Sequence, residues 1–179
     1  ALPIYASGRI DERVEAAGGR VERVRLGALH EGIAVVRSAA GPETAVVFAA
    51  EPWKHVHPAF GGWIDAIASA AVLTRLVAAD GLDSLVAPVT ERPYRKVSVA
   101  CPDARKEAAM GALDSTLPDA FPDASVDRRH GIRLDLGGGN WLLVRPSGTE
   151  PKLRIYAESD DVEALVTAVR ELVESAVED

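Results

Sequence analysis

The first half of the chain alternates short apolar runs with stretches of helical spacing. Its apolar run at 44–50 is continuous, which is typical of a strand buried on both faces of a parallel sheet. The alternation predicts an α/β unit over residues 1–89. The predicted elements of this unit are, in chain order, a strand at 2–5, a helix at 10–17, a strand at 20–26, a helix at 28–38, the strand at 44–50 and a helix at 63–79 that Gly81 ends.

The second half has a different order of elements, after a polar stretch flanked by Pro88 and Pro93. Its pattern predicts the order β-α-β-β-β-α, with a hairpin turn at the three glycines 137–139. This order predicts an α+β domain over 90–179, with a four-stranded antiparallel sheet and two helices on one face. The predicted elements are strands at 95–100, 131–136, 140–144 and 153–157, and helices at 104–117 and 162–177.

Composition and charge exclude several classes of partner. The chain has 179 residues, of which 47% are hydrophobic, so it can bury a core. Its net charge of -7 argues against a nucleic-acid partner and against anionic membranes. The longest apolar run, 66–73, is too short to cross a bilayer, and no signal segment opens the chain. The single cysteine, Cys101, excludes an internal disulfide and fits a buried strand residue in a cytoplasmic protein.

The polar loop at 145–151 separates two apolar strands and carries donors suited to an oxyanion. Arg145 offers a planar fork of N–H groups, Ser147 and Thr149 offer hydroxyls, and Gly148 allows close approach of the backbone. These residues together predict a phosphate site. The alternative is a plain hairpin turn, in which the two hydroxyls bond their own backbone and Arg145 is solvated.

The segments 139–141, 145–151 and 154–158 together resemble the signature of the α-D-phosphohexomutase superfamily, which includes phosphoglucomutase, phosphomannomutase and phosphoglucosamine mutase. The resemblance implies that 90–179 is the fourth, C-terminal domain, whose loop binds the phosphate of a hexose phosphate. The implied phosphate ligands are Arg145, Ser147, the Gly148 backbone and Thr149. Three further residues match the pattern and are interpreted as positioning residues or ion pairs: Glu150, Lys152 and Arg154.

The resemblance extends upstream to 48–55, where the family's third domain carries a Gly-Glu-x-Ser-Gly-His loop that reads the sugar hydroxyls. Glu51 and His55 match this pattern, whereas Trp53 and Lys54 replace its serine and glycine. We therefore expect Glu51, Lys54 and His55 to bind sugar, with Trp53 either stacked on the sugar or packed at a domain seam. The spacing of His55 and His57 alone does not support a metal site, since no third ligand accompanies them.

The resemblance also implies what the chain does not carry. The family's exchanging phosphoserine and Asp-x-Asp-x-Asp magnesium site belong to its first two domains, and neither motif occurs here. The expected function is thus the sugar- and phosphate-binding C-terminal half of an intramolecular phosphotransferase, partnered by the missing N-terminal domains. Mg²⁺ in those domains and a bisphosphorylated hexose activator are the expected cofactors. The alternative is a stand-alone, non-catalytic sugar-phosphate-binding module.

Overall fold

The computed structural model describes residues 2–3, 5–25, 27–39, 45–51, 54–89 and 91–178. The chain divides into two units, Ala1–Thr90 and Glu91–Asp179. The assignment of these units to the third and fourth domains of a larger enzyme stays a prediction.

The first unit combines helices with two small sheets. Strands β1 and β2 pair in parallel, and β3 and β4 form an antiparallel hairpin. The side chain of Ser7 caps α1, and the side chain of Asp65 caps α3 by accepting a bond from the N–H of Ala68. The elements are β1 (Leu2–Pro3), α1 (Gly8–Ala16), β2 (Arg23–Val24), α2 (Leu29–Ala39), β3 (Ala49–Glu51), β4 (Lys54–Val56), α3 (Ala66–Asp80) and α4 (Leu82–Val86).

The prediction of a doubly buried parallel strand at 44–50 is wrong. Within the described residues, the strand begins only at Ala49, and it pairs antiparallel with β4. Val47 keeps 79% of its surface exposed. A run of apolar residues cannot indicate by itself which neighbours cover it, and no described strand pairs with 45–48.

The core of the first unit is small. Helix α3 has no buried residue, and its Ile67 is 84% exposed. The predicted helix at 63–79 begins later than expected because Asp65 supplies the N-cap. The buried cluster contains Val24, Leu29, Ile33, Ala49 and Val56, with Val46 packed against it.

The second unit is an antiparallel sheet covered on one face by two helices. Its sheet order is β5-β9-β8-β7-β6, so β8 and β9 are neighbours inside the sheet. The elements are β5 (Tyr94–Ala100), a 3₁₀ turn (Asp103–Arg105), α5 (Lys106–Ala120), β6 (Ser125–Asp127), β7 (Ile132–Gly137), β8 (Asn140–Pro146), β9 (Lys152–Glu158) and α6 (Val162–Glu178).

The sheet has five strands, where the sequence predicts four. The additional strand, β6, is only three residues long and pairs with β7 at the edge of the sheet. Such a short segment carries too little alternation to predict a strand, and its pairing partner lies farther along the chain. The α+β architecture is confirmed, and the strand count is corrected.

The core of the second unit lies between the sheet and the two helices. Leu113, Leu142 and Ile155 are fully buried in it. Helix α5 runs past Pro118, although proline predicts an end at Leu117. The carbonyl of Asp114, which Pro118 cannot bond, instead accepts a bond from the side chain of Arg128. The polar loop joins β8 and β9, and buried residues of both strands belong to this core.

Candidate functional site

The polar loop is the connection between β8 and β9, and several elements meet at its end of the sheet. Ala100 at the end of β5 lies opposite Lys152 at the start of β9. The chain after β5 therefore leads into α5 beside the loop. The N–H of Cys101 donates to the carbonyl oxygen of Pro151 at 2.9 Å, which ties this connection to the loop.

Arg145 is half-buried on the sheet face opposite the helices. Its Nη2 donates to the hydroxyl of Tyr156 at 2.9 Å, and its guanidinium lies 5.4 Å from the centre of that ring. Its Nε is buried and has no hydrogen-bond partner among the described residues. Tyr156 thus holds the guanidinium in place while one of its donors stays uncommitted.

The loop residues after Arg145 keep more donors without partners. Ser147 is only 3% exposed, and its buried hydroxyl has no hydrogen-bond partner among the described residues. Among the described residues, the N–H groups of Gly148 and Thr149 also have no hydrogen-bond acceptor. A Cβ added at Gly148 would meet nothing within 4 Å, so space is open there. This donor set suits an oxyanion.

Glu150, Lys152 and Arg154 form an ion-pair network at the edge of the loop. Lys152 Nζ lies 2.6 Å from the carboxylate of Glu150, and Arg154 donates to the second oxygen of that carboxylate. The hydrogen bond from Lys152, followed by that from Arg154, lowers the pKa of Glu150. The hydroxyl of Tyr156, followed by Glu150, raises the pKa of Arg154. The three side chains are thus paired with one another, and their positioning role stays a prediction.

Two residues at this end of the sheet were not singled out from the sequence. The Nζ of Lys106 donates to the carbonyl oxygens of Ser147 at 2.6 Å and of Glu150 at 2.7 Å. Gly131 has φ +112°, and a Cβ there would come within 2.7 Å of the Cβ of Arg145. In the sequence, Lys106 is marked only by its place at the start of a predicted helix, and Gly131 only by its place at the start of a predicted strand.

The candidate sugar residues lie on the β3–β4 hairpin of the first unit. Glu51 and Lys54 are cross-strand partners, and His55 pairs with Ala50. Neighbouring strand residues point to opposite faces, so the structure brings Glu51 and Lys54 together and does not bring His55 to them. Trp53 lies outside the described residues.

The polar groups of this hairpin have partners within the protein. Glu51 is 5% exposed, and its carboxylate accepts a bond from the N–H of Gly27 at 2.6 Å. Lys54 Nζ lies 3.4 Å from the other carboxylate oxygen. His55 Nδ1 and His57 Nε2 both lie within hydrogen-bond distance of the hydroxyl of Ser69, at 3.2 and 2.8 Å. The hydroxyl of Ser69 donates to the carbonyl of Asp65 and accepts from both imidazoles, which assigns both ring nitrogens as donors.

Among the described residues, no group of three or more His, Cys, Asp or Glu side chains is suited to hold a metal ion. No described helix has the length and apolar character needed to cross a membrane.

The second unit matches a known protein family. Residues 97–175 match the family described as phosphoglucomutase/phosphomannomutase, C-terminal domain. The second unit belongs to this family as its C-terminal domain, and the chain as a whole is similar to mutases of the α-D-phosphohexomutase superfamily.

Relatives of the chain are named as mutases and are much longer. This chain is 39% identical over 163 residues to the phosphopentomutase of Thermococcus kodakarensis, and the alignment covers 88% of this chain and 34% of the relative. It is 36% identical over 168 residues to a probable phosphoglucosamine mutase of Methanopyrus kandleri, covering 91% and 35%. The chain thus spans about a third of the length of these relatives.

A solved structure shares the fold. A phosphoglucomutase/phosphomannomutase family protein from Burkholderia thailandensis superposes with a TM-score of 0.75 at 19% identity, covering 98% of this chain and 37% of that protein. At this identity the likeness shows the architecture alone.

Proposed function

We propose that this chain is the substrate-holding C-terminal part of a phosphohexomutase, and that the loop at 145–149 binds the phosphate that is not being transferred. The observation that carries the proposal is the group of uncommitted donors in one loop: the Nε of Arg145, the hydroxyl of Ser147 and the N–H groups of Gly148 and Thr149. Of these, the Nε of Arg145 and the hydroxyl of Ser147 are buried, and a buried donor without a partner costs about 1–3 kcal/mol. A phosphate accepts several such bonds at once, and the family match supports this ligand.

The hydroxyl of Ser147 must turn to reach a ligand, because it is buried in the free protein. The backbone of Ser147 is held on both sides of its Cα, since its N–H donates to the carbonyl of Lys152 at 3.0 Å and its own carbonyl accepts from Lys106. A rotation about χ1 therefore moves the hydroxyl without moving the loop. We expect phosphate to select the outward rotamer.

The role of the loop follows from the reaction of the family. A sugar that exchanges phosphate between its 1 and 6 positions binds in two orientations, and one fixed clamp holds the non-reacting phosphate in each. Binding energy at this clamp is used to position the reacting hydroxyl. The exchanging serine and its magnesium belong, by resemblance, to domains outside this chain.

A pentose phosphate is the second candidate substrate. It is favoured by the relative from Thermococcus kodakarensis that is named a phosphopentomutase. The departure at Trp53 and Lys54 lies in the segment that the family uses to read hexose hydroxyls, so this segment does not argue for a hexose. Either sugar leaves the role of the phosphate loop unchanged.

The test uses the ¹⁵N-labelled 179-residue chain, titrated separately with inorganic phosphate, glucose 6-phosphate, ribose 5-phosphate and glucose. We expect both sugar phosphates and inorganic phosphate to shift the amide resonances of 145–149, and glucose to leave them unchanged. Arg170→Ala is the matched control for Arg145→Ala, because Arg170 pairs with Glu174 on the surface of α6. Loss of the shifts in the control, or shifts centred elsewhere, would overturn the proposal. Shifts at 51–55 with only one of the two sugars would select hexose or pentose.

A further inference from the structure

Lys106 begins helix α5, where a cation is unfavourable because the N-terminus of a helix carries partial positive charge. Its side chain is 14% exposed, so the ammonium is largely withdrawn from water. A buried ammonium requires acceptors for its three protons. The position of Lys106 therefore calls for a physical reason outside the helix.

Three acceptors surround the ammonium of Lys106. Two are the carbonyl oxygens of Ser147 and Glu150, at 2.6 and 2.7 Å. The third is the carboxylate of Asp103, at 2.6 Å, and Asp103 itself is exposed. The two carbonyl groups belong to the residues directly before Gly148 and directly after Thr149. The ammonium therefore bonds the loop on both sides of the N–H groups that have no acceptor.

The bond to Ser147 fixes more than one oxygen. The peptide between Ser147 and Gly148 is planar, and the structure contains no cis peptide among its described residues. In a trans peptide the C=O and the following N–H point in opposite directions. When the carbonyl of Ser147 faces Lys106, the N–H of Gly148 faces away from Lys106.

We infer that Lys106 is a positioning residue that orients the N–H of Gly148 toward the bound phosphate by holding the carbonyl of Ser147 on the opposite side of the same peptide plane. The inference rests on the proposed function of the loop. Lys106 itself does not touch the ligand. Loss of its ammonium frees this peptide to rotate, and the phosphate then loses a fixed dipole rather than a charge contact.

The experiment measures inorganic phosphate binding to the full chain by ¹⁵N-resolved NMR, in wild type, Lys106→Met, Lys106→Arg and Asp103→Asn. In wild type, the Gly148 amide proton should move downfield on phosphate addition. In Lys106→Met this shift should disappear, and the dissociation constant should rise about tenfold, the loss of one bond to a charged acceptor. Lys106→Arg should restore part of both effects. Asp103→Asn, which keeps both carbonyl contacts, should resemble wild type.

The outcomes separate this inference from the proposed function. If wild type shows no phosphate-dependent shift in 145–149, the proposed function fails. If wild type binds and Lys106→Met binds equally well with the same Gly148 shift, only the role of Lys106 fails. Should Lys106→Met not fold, the ammonium protons of Lys106 in wild type decide the question. Protection from exchange that increases with phosphate supports the inference, and ammonium protons that exchange as fast as those of Lys54 contradict it.

Discussion

Two hairpins carry the candidate residues, and they use their polar groups in opposite ways. In the β3–β4 hairpin, Glu51, Lys54 and His55 each have a partner within the protein. In the β8–β9 hairpin, Arg145 and Ser147 keep donors that no described residue satisfies. Among the described residues, the first hairpin forms a two-stranded sheet, whereas the second lies inside a five-stranded sheet. A packed sheet can hold unmet donors in place for a ligand, whereas the polar groups of the two-stranded hairpin also tie it to neighbouring elements at Gly27 and Ser69.

The largest effect should come from Arg145. Arg145→Ala removes the one guanidinium of the loop, and we expect sugar-phosphate binding to weaken by about 30- to 1000-fold, or about 2–4 kcal/mol. Arg145→Lys should recover part of this, because an ammonium restores charge without the planar fork. Calorimetric titration of the full chain with glucose 6-phosphate measures both values, and the thermal midpoint should stay near that of wild type. An unchanged affinity in Arg145→Ala would favour the plain hairpin turn.

The next effect concerns two glycines at the same end of the second sheet. Gly131→Ala combines a positive φ with a contact of 2.5 Å to the carbonyl oxygen of Val144, and should destabilise the unit by about 2–4 kcal/mol. Gly148→Ala meets open space and should change unfolding free energy by less than about 0.5 kcal/mol. Urea unfolding followed through buried Trp141 checks both. A destabilised Gly148→Ala would indicate that the loop is built for a turn.

Glu51 should affect stability rather than phosphate binding. Glu51→Ala leaves the N–H of Gly27 without its acceptor and Lys54 without its pair, so the first unit should lose about 1–3 kcal/mol. Lys54→Ala, at a more exposed position, should lose less. Hydrogen exchange of the β3–β4 amides measures the two losses separately from the second unit. Equal protection in Glu51→Ala and wild type would show that the carboxylate is free for a sugar.

The smallest effect is a pH dependence at the edge of the phosphate loop. The folded-state pKa of Glu150 lies below its ordinary value because Lys152 and Arg154 donate to its carboxylate. Its ion pairs therefore contribute above the ordinary glutamate pKa, and the contribution is lost as pH falls through the lowered value. Relative to intrinsic exchange rates, we expect the amides of 150–154 to be better protected in wild type than in Glu150→Gln above about pH 4.3, and to lose this advantage on acidification. An identical acid profile in both proteins would contradict this assignment, and added salt should reduce the difference.

The outcome of each prediction from sequence depends on how local its determinants are. The residues of 145–149 are contiguous, so a single segment was enough to predict the loop, whose phosphate-binding role stays a proposal. The alternation at 95–100 predicts β5, and the mainly apolar segments at 140–144 and 153–157 predict β8 and β9. Lys106 contacts residues about 40 positions away, and its role depends on how β5 leads into α5. β6 depends on its partner β7, and 44–50 depends on neighbours that its apolar content does not reveal. The local sequence of these segments does not specify which neighbours they contact.

The contact between Cys101 and Pro151 makes the lone thiol a natural reporter of the loop. Burial raises the pKa of Cys101 and keeps the thiolate scarce, so alkylating reagents should reach it only when the structure beneath the loop opens. Because the N–H of Cys101 holds the loop through Pro151, a ligand that tightens the loop should slow that opening. The alkylation rate of Cys101 in the unmodified chain should therefore report whether a ligand occupies the neighbouring loop, without an introduced probe.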